Sequence, residues 1–174
     1  PLQSGSDRVL KRMNRNYSRD QFLSAAESLR KKIPDLTLTT DMIAGFPGED
    51  ERDFELSLDA VRKARFLKVH IFPFSSRPGT AAAVLDGHIP GKEILRRKKL
   101  MQETCEKAAA EEKARWLGKT VDVLFEQKSM EDPSLYSGFS GNYLEVGVMA
   151  DAGITNMIRP VRLLSLDSRG SFEG

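Results

Sequence analysis

The apolar positions of this chain follow a helical period in its first two thirds and an alternating one in the rest. Phe22, Ala26, Leu29 and Ile33 recur at the spacing of one helical face. Ser18-Arg19-Asp20-Gln21 precedes them as a capping box: the Ser hydroxyl accepts the N–H three residues on, and Gln21 reaches back. Pro34 ends that helix, because it cannot donate and it clashes with the preceding turn. "LTLTTDMIAG" (36–45) is dominated by Leu, Thr and Ile and predicts a strand. Phe54, Leu58 and Val61 mark a second helix, capped by Asp50. "FLKVHIFPF" (66–74) predicts a second strand, ended by Pro73. Strand, helix, strand in this order favours parallel pairing across a crossover helix. A long helix is predicted from Pro90 to Leu117, with Ile94, Met101, Cys105 and Ala108 on one face and Gly118 as its stop.

From Lys119 the texture changes. "TVDVLFE" alternates Val121, Val123 and Phe125 against polar neighbours. "YLEVGVM" (143–149) and "MIRPVRLLSL" (157–166) follow, with Gly, Ser, Asp and Asn between them. Short strands without helices predict a small antiparallel β-barrel. The expected organisation is therefore an α/β domain over 1–117 and a β domain over 118–174. In α/β folds the functional loops lie at the carboxyl ends of the strands. Both unusual loops of this chain, "GFPGE" (45–49) and "PFSSRPGT" (73–80), fall there.

Charge sharpens the picture. Glu49 to Asp59 holds six acidic residues and one basic, net −5. Most of these carboxylates sit in the first turn of the second helix, where the helix dipole favours anions. The same acidity argues against a phosphate on that helix end, and "GFPGE" lacks the Lys and Ser/Thr of a nucleotide P-loop. Asp7 to Lys32 holds eight basic and three acidic residues, net +5. Its run Arg8, Lys11, Arg12, Arg15 and Arg19 suits either a phosphate backbone or a solvated helix face. Lys119 to Asp167 is net −3. His70 and His88 are far apart with no acidic residue at ligand spacing, which does not make a metal site. Cys105 is the only cysteine, so the chain can form neither an internal disulfide nor a thiolate metal site; its place on the helical stripe predicts burial.

At 174 residues, with hydrophobic content of 40% and charged content of 30%, the composition is that of a soluble globular protein. No apolar run reaches the length of a membrane span, and the first residues do not form a signal peptide. The chain opens on Pro1-Leu2-Gln3 and is read as the continuation of a longer polypeptide, with a cytoplasmic location expected.

Four stretches, in order and across nearly the whole chain, resemble the C-terminal half of the radical S-adenosylmethionine (SAM) methylthiotransferases. They are "PLQSGSDRVLKRMNRNYS" (1–18), "TTDMIAGFPGEDERDFE" (39–55), "HIFPFSSRPGTAAA" (70–83) and "GKTVDVLFE" (118–126). "PLQSGS" resembles the tRNA branches. "HIFPFS" (70–75) and "GFSGNYLEV" (138–146) are most similar to the enzymes that act on N6-threonylcarbamoyladenosine at tRNA position 37. The isopentenyladenosine branch is the near alternative, followed by the ribosomal-protein branch. The resemblance implies the end of a radical-SAM (β/α) partial barrel followed by a TRAM β-barrel. It implies methylthiolation of an adenine carbon, with SAM cleaved at one 4Fe-4S cluster and sulfur drawn from a second. Neither set of cluster cysteines is present, so their ligands are expected in a missing N-terminal part, and this chain alone is expected to be inactive.

The resemblance also implies site residues. Gln3, Ser4, Thr40, Asp41, Gly45, Ser75 and Arg77 are expected to face SAM or the substrate from the strand ends. Arg8, Lys11, Arg12 and Arg15 are expected to contact tRNA, with Phe139, Asn142, Tyr143, Arg159 and Arg162 of the TRAM domain. A non-catalytic RNA-binding adaptor and a structural piece that binds neither ligand are the contrasting readings.

Overall fold

The computed structural model describes residues 1–130, 132–151, 153–168 and 170–174. It divides into two compact units, Pro1–Glu112 and Lys113–Gly174. Among the described residues no helix is long and apolar enough to cross a membrane.

The first unit is α/β. Its elements are α1 (Asp7–Arg12), α2 (Arg19–Lys32), β1 (Thr39–Ala44), α3 (Glu51–Ala64), β2 (Lys68–Pro73), a 3-10 turn (Ala81–Val84) and α4 (Gly91–Ala114). β1 and β2 pair in parallel, with Thr39 opposite Lys68 and Ile43 opposite Phe72, as the strand–helix–strand order predicts. Gln3 adds a parallel bridge on the other edge of β1: its N–H donates to the Asp41 carbonyl at 2.9 Å, and its carbonyl accepts from Ile43 at 2.9 Å. Met42 on β1 and Phe54, Leu58 and Val61 on α3 close the core with Leu2, Phe66, Met101, Cys105 and Ala108. The stripe of α4 is buried as its spacing predicts.

The predicted capping box at Ser18 forms, and the Asp50 cap of α3 proves to be a second. Ser18 accepts from the Gln21 N–H while Gln21 accepts from that of Ser18, and Asp50 and Asp53 do the same at α3. The α2 stripe is only half used, however. Ala26 is buried and Phe22 packs near Phe66, with ring centroids 6.1 Å apart, but Leu29 and Ile33 stay exposed. Ile33 is the C-cap, with extended backbone at φ −127°, so it leaves the helical face that its spacing suggested.

The second unit is a six-stranded sheet in the order β6-β3-β4-β5-β8-β7. Its strands are β3 (Thr120–Lys128), β4 (Leu135–Ser140), β5 (Glu145–Met149), β6 (Met157–Arg162), β7 (Ser165–Leu166) and β8 (Phe172–Glu173). Val123, Phe125, Tyr136, Val146 and Phe172 are buried on its inner side. The expected barrel is corrected in one respect: β8 runs parallel to β5, so the sheet is not antiparallel throughout. Strand pairing among the described residues gives an open order, while between β6 and β7 the Leu163 N–H donates to the Lys119 carbonyl at 2.9 Å and the Leu164 N–H to the Glu173 carbonyl at 2.8 Å. β4 escapes an alternation search because Gly and Ser interrupt it. Gly138 is required there: an added Cβ would overlap the Leu124 carbonyl on β3.

Gly5 is equally constrained, because a Cβ on it would overlap the Leu56 carbonyl of α3. Gly5→Ala is expected to cost about 1–3 kcal/mol in urea unfolding. Gly91→Ala, where a Cβ meets nothing within 4 Å, is expected to be neutral or to gain up to about 1 kcal/mol.

Candidate functional site

The turn after β1 is built around one buried carboxylate. Gly45 and Gly48 have φ of 80° and 82°, a conformation that suits glycine, and the Glu49 N–H closes the turn on the Phe46 carbonyl at 2.9 Å. The Glu49 side chain is buried and accepts from the Gly45 N–H at 3.0 Å and from Arg97 of α4 at 2.8 Å. Burial pushes the Glu49 carboxyl above its ordinary value, and the Arg97 and Gly45 hydrogen bonds oppose that shift. Arg97 also donates to the Glu49 carbonyl at 2.9 Å and to Glu93 at 2.8 Å, and it lies 5.5 Å from the centre of the Phe54 ring.

Two other carboxylates of the acidic cluster, Asp50 and Asp53, tie α1 to α3 through Arg8. Asp53 is buried and accepts from the Ser6 hydroxyl at 2.6 Å, from the Asp50 N–H at 2.9 Å and from Arg8. Burial alone would raise the Asp53 carboxyl; hydrogen bonds from Arg8, Ser6 and Asp50 outweigh it and hold the group below its ordinary value. The acidity read from the sequence as a helix start is thus also the anchor of the N-terminal segment.

At the carboxyl ends of β1 and β2 lies a cleft of about 460 Å³. It is lined by Gln3, Asp41, Ile43, Phe46, Phe72, Pro73, Phe74, Ser75, Arg77, Thr80 and Ala82. Strand alternation explains the choice: Asp41 and Ile43 face the cleft while Thr40, Met42 and Ala44 are buried behind it. Gln3 sits at its edge with φ of 68°, inside a γ-turn closed by the Ser4 N–H on the Leu2 carbonyl at 2.8 Å. Such a turn is strained for a non-glycine residue. Phe46 and Phe74 meet edge to face at 5.4 Å.

Four of the seven expected cofactor residues, Gln3, Asp41, Ser75 and Arg77, therefore come together. The other three serve the frame. The Thr40 hydroxyl accepts from the Leu2 N–H at 2.8 Å, Ser4 is buried 3.4 Å from the Ser57 hydroxyl, and Gly45 is tied to Glu49. The three phenylalanines and Thr80 were missed by sequence reasoning. The register of β1 against β2, which sets Phe72 beside Ile43, would have exposed one of them.

The basic run divides in the same way. Arg8 donates to the Gly48 carbonyl at 2.8 Å as well as to Asp50 and Asp53, and Arg19 pairs with Asp59. Arg12 donates to the Pro47 carbonyl at 3.1 Å and to Asp86 at 2.6 Å. Lys11 and Arg15 point to solvent. In the second unit, Phe139 and Tyr143 are 41% and 74% exposed, with ring centroids 6.4 Å apart. Register aligns Phe139, Leu124 and Ile158 across three strands, all exposed. Asn142, which accepts from the Ser140 hydroxyl at 2.5 Å, sits in the adjoining turn. Arg162, opposite Thr120, shares the face of that row. Arg159 is opposite Val123 and therefore on the other face, with its guanidinium 3.2 Å from the Met157 sulfur.

Residues 1–61, which include α1, β1 and the glycine turn, match the family model described as the radical SAM superfamily. A tRNA-2-methylthio-N(6)-dimethylallyladenosine synthase of Corynebacterium efficiens is 46% identical over 124 residues, 71% of this chain and 24% of the relative. The threonylcarbamoyladenosine tRNA methylthiotransferase MtaB of Chlamydia pneumoniae is 46% identical over 126 residues, 72% of this chain and 30% of the relative. A second dimethylallyladenosine synthase, from Acetivibrio thermocellus, is 36% identical over 174 residues, all of this chain and 36% of the relative. This chain belongs to the radical SAM methylthiotransferases. It spans about a quarter to a third of the length of these relatives.

Radical SAM methylthiotransferases use SAM and iron–sulfur clusters, and this chain's residues fit the two groups differently. The cleft offers aromatic surface, a carboxylate and a guanidinium, which suits a nucleoside bearing an amino acid. The residues present do not fit a cluster. Burial, with a smaller contribution from Glu106, pushes the Cys105 thiol up to about 12, so it is not a thiolate ligand. Among the described residues no group of three His, Cys, Asp or Glu side chains is placed to hold a metal.

The Asp53 network predicts a pH dependence. The stability due to the lowered Asp53 carboxyl is complete above the ordinary value of 3.8 and is lost as pH falls through the folded value. Urea midpoints of the native chain and Asp53→Asn, compared from pH 6 downward, are expected to converge only on the acid side.

Proposed function

We propose that this chain is the SAM- and tRNA-facing part of a methylthiotransferase acting at C2 of N6-threonylcarbamoyladenosine at tRNA position 37. The observation that carries this reading is the convergence of Gln3, Asp41, Ser75 and Arg77, from separate segments, on one cleft with Phe46, Phe72 and Phe74. The phenylalanines would take the adenine, and Arg77 a carboxylate. Arg77 has no ion pair among the described residues. Bound SAM would supply the radical that removes the adenine hydrogen. This chain's residues would bind, orient and shield the reacting groups, while the ligands of two 4Fe-4S clusters would come from elsewhere in the enzyme.

In the second unit, the row of Ile158, Leu124 and Phe139, with Tyr143 beside it, offers faces on which unpaired bases can stack. We assign that unit the role of the TRAM domain, with Asn142 and Arg162 at the margin of the row and Arg159 at its edge strand. Lys11 and Arg15 are the phosphate contacts left free by the basic run. The work would be done in the cytoplasm, on tRNA.

A second reading is dimethylallyladenosine as substrate. It is favoured by the apolar lining from Phe46, Phe72 and Phe74, and by the Corynebacterium and Acetivibrio relatives, which are dimethylallyladenosine synthases. The threonylcarbamoyl reading is favoured by "HIFPFS" (70–75) and "GFSGNYLEV" (138–146), which resemble the enzymes acting on that nucleoside.

Calorimetric titration with S-adenosylhomocysteine is expected to show saturable binding that weakens about tenfold or more in Arg77→Ala, the loss of one charge-assisted hydrogen bond. Wild-type chain that fails to bind would remove the cofactor reading. Filter binding with anticodon stem-loops is expected to favour the threonylcarbamoyl form over the dimethylallyl form. Tyr143→Ala is expected to weaken both by about tenfold, as the loss of one stacked base would. Preference for the dimethylallyl form would establish the second reading.

A further inference from the structure

One wall of the cleft is a loop, residues 74–88, that supplies Phe74, Ser75, Arg77, Thr80 and Ala82 to its lining. Its ends are close together: the Phe74 and His88 rings lie 5.8 Å apart, and Phe74 rests on Phe46. At its start, the Phe74 N–H donates to the Ala44 carbonyl at 2.9 Å. Among the described residues, the hydrogen bonds of residues 75–85 stay within the loop or reach His88, as from Thr80 to the Arg77 carbonyl at 2.8 Å and between Ala83 and His88 at 3.2 Å. Among the described residues its body makes no hydrogen bond of its own to β1, β2 or α1 to α4, so the hydrogen bonds at its two ends fix its position.

The far end is fastened by α1. Arg12 donates from Nε to the Pro47 carbonyl at 3.1 Å, and from Nη2 to the Asp86 carbonyl at 3.0 Å and carboxylate at 2.6 Å. One planar guanidinium thus joins the glycine turn to the loop. Beside it, the Gly48 N–H donates to the Gly87 carbonyl at 2.8 Å. The approach is close enough that a Cβ on Gly87 would stand 3.0 Å from the Gly48 Cα.

We propose that Arg12 and Asp86 form a latch that positions the 74–88 loop over the cleft, so that α1 controls the placement of Ser75, Arg77 and Thr80 without touching a ligand. Arg12 is then a positioning residue, and its place in a basic run that resembles an RNA contact is incidental to this task.

Hydrogen exchange of the full chain tests the latch without reference to any ligand. In Arg12→Ala and in Asp86→Ala, the Gly48, Thr80 and Ala83 amides are expected to exchange about tenfold faster, while Met42 and Phe54 keep their protection. Arg12→Lys, which keeps the charge but not the planar fork, is expected to restore part of it. Unchanged exchange at Gly48 in Arg12→Ala would overturn the latch. So would an equal speed-up at Met42 and Phe54, which would mean a general loss of stability. Titration of the same variants with S-adenosylhomocysteine rests on the cofactor reading above and is expected to show about fivefold weaker binding. Altered exchange with undiminished binding would overturn the positioning role. Altered exchange in a chain whose wild type binds no S-adenosylhomocysteine would instead remove the cofactor reading and leave the latch standing.

Discussion

A carboxylate taken out of water has to be compensated on the spot, and in the first unit Glu49 is compensated by Arg97. The pair does more than neutralise itself. Through Gly45 it holds the end of β1, through its own backbone it holds the start of α3, and through Arg97 it reaches α4 and the face of Phe54. Leaving either charge without the other typically costs about 3–5 kcal/mol, a large share of the stability of a small domain. The glycines let the turn adopt its shape; the ion pair decides where it stands. Phe46, between the two glycines, reaches the cleft because the turn is held there.

β1 shows how one short strand serves both packing and the site. Its alternate residues close the core with Met42 and Ala44 and open the cleft with Asp41 and Ile43. Gln3 extends that division to the neighbouring segment at the cost of a positive φ. The strain is tolerated because the backbone of Gln3 is bonded to β1 on both its N–H and its carbonyl.

Local physics made most of the first unit legible. The Ser18 capping box, the Asp50 cap, the stop before Pro34 and the parallel strand order each follow from local sequence and are found as predicted, whereas α4 ends at Ala114, short of the Leu117 that Gly118 suggested. Leu29 and Ile33 misled because a helical stripe says which face could be buried, not whether another element covers all of it. In the second unit, β3 was legible from its alternation, but β4 depends on the closeness of Gly138 to Leu124 and β8 on a hairpin of two-residue strands. Neither leaves a periodic trace.

The site was legible to the extent that strand ends were. Position along β1 pointed to Thr40 and Asp41 alike, and only the pleat separates them. The basic run was readable as charge but not as pairing: Arg12 meets Asp86 across 74 positions, and Arg97 meets Glu49 across 48. Partners that distant are chosen by the fold, and composition carries no mark of them.

Cys105 has a practical consequence. A lone thiol held in the core as its neutral form has almost no thiolate to offer an electrophile at neutral pH. Maleimides and nitroxide reagents would react with it more slowly than with an exposed thiol at neutral pH. A single cysteine placed on the 74–88 loop would therefore take up label ahead of Cys105, and its signal would report chiefly on that loop.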